Sequence, residues 1–354
     1  MSPGCFPAAA GQARRLTVGL LLAGIIAVII FNYNSAGDNS ASALLQRWSS
    51  NHSIPQKSTI DTQKPNAISS VSKVSKVSFK NSHSGLVDDT SIADDLKVTT
   101  RVLIWVMTYE KNLHKKAVHV KNTWARRADR VLYVSSDNDT EFPAVGFNIP
   151  EGMKHLTQKT HHAFRYIYEN HLDDAEWFMK ADDDTYVVVE NLRYFLADKD
   201  STEPVYFGQR MKNQKFGIFT SGGAGYVLSK EAVRRMATEG RDPKVCRQGG
   251  PIEDVALAQC LRRLGVKLKN TTDEDGRGTF FAVTPENLLL GKLPKWYMHV
   301  GHVGGIDQIS HYPISFHKIS PKMMHTLDLL LYHARPYGIQ FGHKDYNGGK
   351  SVKT

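Results

Sequence analysis

Asp182, Asp183 and Asp184 stand in a row behind the apolar residues Trp177, Phe178 and Met179 and ahead of Tyr186-Val187-Val188-Val189. Three carboxylates held between apolar segments lose water and repel one another, so a compensating cation is expected beside them. In an extended stretch residues 182 and 184 face one side and can converge on one ion. Hard carboxylate oxygens select Mg²⁺ or Mn²⁺ rather than a soft metal. A divalent ion there would neutralise a diphosphate and stabilise it as a leaving group. The competing reading, an exposed acidic turn, fits poorly with the apolar residues on both sides.

A second acidic pair, Glu253-Asp254, precedes the helical spacing Leu257, Leu261, Leu264. Two readings stay open for it. Carboxylates at a helix N-terminus are stabilised by the dipole and can cap the helix. A carboxylate can also act as a general base, because a hydroxyl is a poor nucleophile until its proton is accepted. For that role Asp254 is the first candidate and Glu253 the second.

These groups need a scaffold, and the sequence supplies alternating elements. Val102 to Met107 is a short apolar run that predicts a buried strand. Leu113, Ala117, Val120 and Trp124 mark one face of a helix, and Val131 to Val134 the next strand. Leu156, Thr160, Ala163, Phe164, Ile167 and Tyr168 mark a second amphipathic helix, and Trp177 to Met179 a third strand leading into the aspartates. This β-α-β-α-β order predicts an α/β domain with a mainly parallel sheet and helices on both faces. Ligands of such sheets bind beyond the carboxyl ends of strands, which is where Asp182 to Asp184 fall.

The chain has 354 residues, 41% apolar and 23% charged, enough for a substantial core. The composition is uneven. Leu16 to Phe31 (LTVGLLLAGIIAVIIF) carries no charge, with Arg14 and Arg15 before it and Asn32, Asn34 and Asp38 after it. That asymmetry predicts an uncleaved membrane anchor with a cytosolic N-terminus. Asn32, Tyr33 and Asn34 replace the small residues that signal-peptide cleavage needs. From Ser35 to about Asp95 the sequence is rich in Ser, Asn, Lys and Thr and nearly lacks aromatics, the composition of a flexible stem. The expected organisation is therefore a cytosolic tail (1–15), an anchor (16–34), a stem (35–97), a folded domain (98–343) and a flexible tail (344–354).

The formal charge of +10 suits an anionic partner such as a nucleotide phosphate, or simply a soluble surface. No nucleic-acid motif accompanies it. Of three cysteines, Cys5 precedes the apolar run, and the spacing of Cys246 and Cys260 does not suit a zinc site. In an oxidising lumen those two could pair; in the cytosol they would be small buried hydrophobes. Sequons at Asn51, Asn138 and Asn270 support a lumenal location weakly.

Lys180-Ala181-Asp182-Asp183-Asp184-Thr185-Tyr186-Val187 resembles the DxD region of the fringe and core 1 type β1,3-glycosyltransferases. Other stretches resemble the core 1 branch, the glycoprotein-N-acetylgalactosamine 3-β-galactosyltransferases. They are Trp105-Val106-Met107-Thr108, His119 to Trp124, Tyr206-Phe207-Gly208, Ser221 to Ser229, Ile252-Glu253-Asp254-Val255, Ser315-Phe316-His317 and Arg335-Pro336-Tyr337-Gly338. The similarity runs from about Arg101 to Gly338. It implies a GT-A fold with a Rossmann-like mixed sheet, a UDP-galactose donor, Mn²⁺ and inversion at the anomeric carbon. The implied acceptor is N-acetylgalactosamine O-linked to glycoproteins, and the implied location is the Golgi membrane with a lumenal catalytic domain. It leaves room for a homodimer.

Carried over by residue, Asp182, Asp184 and His317 are the implied metal ligands. Met107, Lys159, Asp182 and Asp183 fall at nucleotide-binding positions. Read alone, His317 is better taken as an ordinary core histidine; as a ligand its imidazole favours Mn²⁺ over Mg²⁺. Gly222 and Gly223 either let backbone approach the sugar or pack against a neighbouring strand. Trp296 and Tyr297 are what remains of an aromatic acceptor wall. Cys246 and Cys260 match paired family cysteines, whereas Ile104, Ala128, Gln209, Gln308 and Ile309 stand where relatives carry more. Gly304 and His311 replace acidic residues near the acceptor. Another donor or acceptor, as in fringe-like transfer, is the alternative. A catalytically inactive chaperone of the family is a further one, opposed by the intact Asp182, Asp184, Glu253, Asp254 and His317.

Overall fold

A computed structural model describes residues 88–294, 304–337 and 339, all within one compact unit, His83–Thr354. The anchor, most of the stem, Trp296, Tyr297 and the tail from 344 lie outside the described residues. Among the described residues no helix is long and apolar enough to cross a membrane.

In chain order the strands are β1 (Val102–Met107), β2 (Arg130–Ser135), β3 (Ala144–Gly146), β4 (Trp177–Asp182), β5 (Tyr186–Val187) and β6 (Val205–Gly208). They continue as β7 (Arg210–Asn213), β8 (Gly217–Thr220), β9 (Tyr226–Ser229), β10 (Lys267–Leu268), β11 (Phe280–Phe281) and β12 (Ser315–Phe316). The main sheet has the order β10-β6-β9-β4-β1-β2-β3. Its pairs are parallel except that β9 runs antiparallel to both β4 and β6. The sheet is thus mainly parallel, as the alternation of elements implies, with one reversed strand that hydropathy does not reveal.

Every residue of β1 is buried, because both faces of the sheet are covered. Val102, Ile104 and Val106 join a core with Leu113, Ala117, Val120 and Trp124. Leu103, Trp105 and Met107 join the opposite core with Ala163, Phe164 and Ile167 of the Leu156–Asn170 helix and Leu257 and Leu261 of the Glu253–Arg263 helix. The period of two along β1 therefore sorts its side chains between two helical layers. In the second layer the sulfurs of Cys246 and Cys260 lie at disulfide distance, 2.01 Å apart.

Two expectations change. A helix at Ser91–Thr99, anchored by buried Leu96, starts inside the span read as stem. Asp182 to Asp184 are not extended either: β4 ends at Asp182 and the chain turns, with Thr185 N donating to Asp182 O at 3.1 Å. Thr185 Oγ1 accepts from Asp182 N at 3.1 Å and donates to Gly223 O at 2.8 Å, so the turn is pinned to the glycine loop. Beyond the turn, β5 pairs antiparallel with β12, which delivers His317 beside the aspartates.

Candidate active site

Met107 at the end of β1 pairs with Asp182 at the end of β4, so the two strands open a crevice at their carboxyl ends. There each of two aspartates divides its oxygens. Asp182 Oδ1 accepts from Lys180 Nζ at 2.5 Å, and Asp184 Oδ2 accepts from Lys116 Nζ at 3.0 Å. The remaining oxygens face His317: its Nε2 lies 3.7 Å from Asp182 Oδ2 and 3.1 Å from Asp184 Oδ1. One donor atom from each of the three residues fits within 4.8 Å of the others, and all three side chains are half-buried. Convergence comes from the turn rather than from strand alternation.

Asp183 points elsewhere. It is buried, and its Oδ2 accepts from Thr108 Oγ1 at 2.9 Å and Asn112 Nδ2 at 2.7 Å. Burial pushes this carboxyl above its ordinary range against those hydrogen bonds and Lys116. Asp184 goes the other way: burial would raise it, but the hydrogen bond and charge of His317, then Lys116, hold it well below the usual carboxylate range. Lys116 rides on a π turn, Leu113–Ala117, between the helical segments Glu110–Asn112 and Val118–Asn122. Such turns re-aim side chains without ending a helix.

The pair at the start of the Glu253–Arg263 helix faces the same cavity, of about 750 Å³, but its members differ. Glu253 is buried, and its Oε1 accepts from Tyr226 OH at 2.6 Å and Thr160 Oγ1 at 3.0 Å. Asp254 is half-buried, and its Oδ2 accepts only a long bond from Gly222 N, 3.4 Å, while Oδ1 accepts from Val255 N at 2.9 Å. The N-cap residue, Ile252, has no polar side chain to cap the helix, and Asp254 Oδ1 instead satisfies the first-turn amide of Val255. Burial pushes both carboxyls above their ordinary values, opposed by Lys180 at Glu253 and by the Gly222 and Val255 amides at Asp254.

The glycine loop joins the two acidic groups. A Cβ on Gly222 would lie 2.9 Å from Glu253 Oε2 and 3.5 Å from Asp254 Cβ. One on Gly223 would lie 2.3 Å from His317 Cε1. These two glycines therefore make room for the protein's own acid and imidazole groups. Met107 and Lys159 also line the cavity. Lys159 is buried and donates to Thr108 O at 3.1 Å and to Glu151 Oε1 at 3.1 Å.

The sequence reading missed Lys180, Lys116, Thr108, Asn112, Thr160 and Tyr226. Lys180 had a signal: it stands two before Asp182, on the same side of one strand. Its buried ammonium bridges Asp182 and Gly222 O, the latter at 3.0 Å. Burial would lower its pKa, yet Asp182, Glu253 and Asp254 raise it, so it stays charged. The other five come from distant segments and leave no local pattern.

A family profile described as Fringe-like matches residues 98–323. The chain is 42% identical over 267 residues to a Xenopus laevis glycoprotein-N-acetylgalactosamine 3-beta-galactosyltransferase 1, covering 73% of this chain and 74% of that protein. It is 29% identical over 202 residues to human chondroitin sulfate synthase 3, covering 52% of this chain but 23% of the relative. A mouse beta-1,3-glucosyltransferase is 28% identical over 176 residues, covering 48% and 35% respectively. With the acidic cavity at the ends of β1 and β4, these likenesses establish that the chain belongs to the Fringe-like family and is a glycosyltransferase.

Proposed function

We propose that the protein transfers galactose from UDP-galactose, in β1-3 linkage and with inversion, to N-acetylgalactosamine O-linked to Ser or Thr of glycoproteins. The observation that carries the chemistry is the convergence of Asp182 Oδ2, Asp184 Oδ1 and His317 Nε2 on one edge of a cavity that Asp254 also lines. Two carboxylate oxygens and one imidazole nitrogen suit Mn²⁺ better than Mg²⁺, and the two lysines on the outer oxygens fix which oxygens remain for it. A bound cation would offset the charge that gathers on the diphosphate as it leaves. In this reading the sheet is a GT-A scaffold and the nucleotide lies along Met107, Lys159 and the Asp182–Asp183 turn. Trp296 and Tyr297 would contribute to the acceptor side.

Asp254 is the base. Its Oδ2 carries a single long hydrogen bond and can accept the proton of the acceptor hydroxyl. Burial raises its affinity for that proton. Glu253, with one oxygen held by two hydroxyls, positions Tyr226 and Thr160. The choice of donor and acceptor rests on the likeness to the Xenopus laevis protein. An anchor at 16–34, a Golgi membrane location with the domain in the lumen, and a Cys246–Cys260 disulfide complete the proposal.

The test is to incubate the purified protein with Mn²⁺, a panel of UDP-sugars and a GalNAc-peptide and to identify the product by mass and linkage. Addition of one hexose from UDP-galactose alone, in β1-3 linkage, is expected. Addition of N-acetylhexosamine, or no product with any donor, would overturn the assignment.

A further inference from the structure

The Glu253–Arg263 helix begins in the active-site cavity and ends beside a second one. This cleft, of about 620 Å³, has buried Tyr206 and Val266 in its floor and Arg210, Arg262, Lys267 and Lys269 around it. No carboxylate lines it. Among the described residues, Arg210, Arg262 and Lys267 form no ion pair, and Lys269 approaches only Glu203, at 3.5 Å between exposed groups. Arg210 Nε is buried without a hydrogen-bond partner. Arg262 donates to Ile218 O at 3.0 Å, a bond that holds its guanidinium along the cleft and leaves its charge uncompensated.

The cleft also borders an open sheet edge. β10 is the terminal strand, and Lys267 N and Lys269 N both donate inward, to Pro204 O and Tyr206 O. The ladder's alternation turns the N–H and C=O of Leu268 to the outside. Lysines on an edge strand commonly serve to discourage unwanted pairing. That explains Lys267 and Lys269 but not two arginines over an apolar floor on neighbouring elements.

We propose that this cleft binds an acidic, extended segment of the polypeptide that carries the acceptor sugar. Cations without counter-ions supply the attraction, the apolar floor takes the aliphatic parts, and the edge of β10 offers main-chain bonds to an extended chain. The spacing is set by the helix. Asp254 and Arg262 are eight residues apart, which is roughly 12 Å along the axis. An extended peptide covers that in about four residues. Acidic residues about four positions or more from the glycosylated Ser or Thr should therefore reach the cleft, and immediate neighbours should not. The proposal rests on the glycoprotein acceptor assigned above, but the cleft can be tested apart from it.

The first measurement is fluorescence anisotropy on the full protein with an unglycosylated Asp/Glu-rich peptide and its Asn/Gln counterpart, at about 50 mM salt where screening is weak. Wild type should bind the acidic peptide about tenfold more tightly, a difference that Arg262→Ala with Lys267→Ala removes. Both residues are exposed, and an unchanged melting temperature shows that the variant is folded. The second measurement compares GalNAc-peptides with a peptide-free aryl glycoside of GalNAc. In the double variant KM for a distally acidic glycopeptide should rise about tenfold with kcat unchanged, while KM for the aryl glycoside stays the same. Equal binding of the two peptides by wild type, or a preference that survives the double substitution, would overturn the proposal. So would a heparin oligosaccharide that binds more tightly than the peptide, since the occupant would then be a glycan. Acidic-peptide binding without transfer to any GalNAc acceptor would refute the assigned reaction and leave the cleft standing as an acidic-peptide site.

Discussion

At the end of β4 every carboxylate oxygen has a neighbour: Lys180 takes one oxygen of Asp182, Lys116 one of Asp184 and, at 3.5 Å, one of Asp183, Thr108 and Asn112 hold the other Asp183 oxygen, and His317 faces what remains. At the start of the Glu253–Arg263 helix the arrangement is uneven. Glu253 is buried and doubly bonded through one oxygen, whereas its neighbour Asp254 keeps an oxygen held only by a 3.4 Å bond. The lysines on the outer oxygens suit the first group to the proposed cation. The loosely held oxygen of Asp254 supports the proposed role of the second group as proton acceptor. If the proposed roles hold, the cavity separates donor binding from turnover, and substitutions on the two sides should fail in different ways.

The largest effect is expected on the cation side. Asp182→Ala and Asp184→Ala should each lower Mn²⁺-supported transfer by roughly 10³-fold or more while the protein stays folded. Full activity in either variant, or in excess chelator, would remove the metal from the mechanism. Next comes Asp254→Asn, which keeps size and hydrogen bonding but takes no proton, and should lower kcat by roughly 10² to 10⁴. Glu253→Gln should leave turnover within about threefold, because the amide oxygen can still accept from Tyr226 and Thr160. If Glu253→Gln alone loses turnover, the roles of the two residues are reversed.

A smaller effect should link the two sides. Gly223→Ala places a methyl 2.3 Å from His317 Cε1, so the ring must move. A stability loss of about 1–3 kcal/mol is expected. Calorimetry should also show weaker Mn²⁺ binding; unchanged binding would mean that His317 is not a ligand. The smallest effect is a pH dependence. Burial raises Glu253 in the folded state, so the folded protein holds this proton more tightly than the unfolded chain does. The sign follows by linkage: the group's contribution is full below the unfolded pKa and is lost as pH rises through the raised folded value. Urea midpoints measured across that window should decline with pH in wild type and decline less in Glu253→Gln. Asp254 is raised as well, so the acid limb of kcat/KM should lie above the ordinary carboxylate range. The limb should vanish in Asp254→Asn.

Much of this was legible in the chain because it is local. The continuous run Val102–Met107 marks a strand buried on both faces, and Trp177 to Met179 place the aspartates at a strand end. The helix face of Leu156, Ala163, Phe164 and Ile167 follows from spacing. What was not legible depends on distant segments. No periodicity shows that β9 inserts antiparallel between β4 and β6, or that Lys116 is re-aimed by a π turn. The choice between Glu253 and Asp254 was closed to sequence because both precede the same apolar face. The hydroxyls of Tyr226 and Thr160 on Glu253, which favour Asp254 as the proposed base, belong to other elements. The crowding at Gly222 and Gly223 is likewise closed to sequence, because a Cβ there would meet Glu253 and His317 from other elements.

The division of labour across the cavity can be examined in one paired measurement: the affinity for UDP-galactose with Mn²⁺ and the single-turnover rate, each on Asp184→Ala and Asp254→Asn. Asp184→Ala should lose donor affinity along with transfer. Asp254→Asn should bind the donor as wild type does and fall by roughly 10² to 10⁴ in single-turnover rate. Wild-type donor affinity in Asp184→Ala, or an unchanged single-turnover rate in Asp254→Asn, would contradict the assignment of cation binding to the β4 turn and proton transfer to the helix.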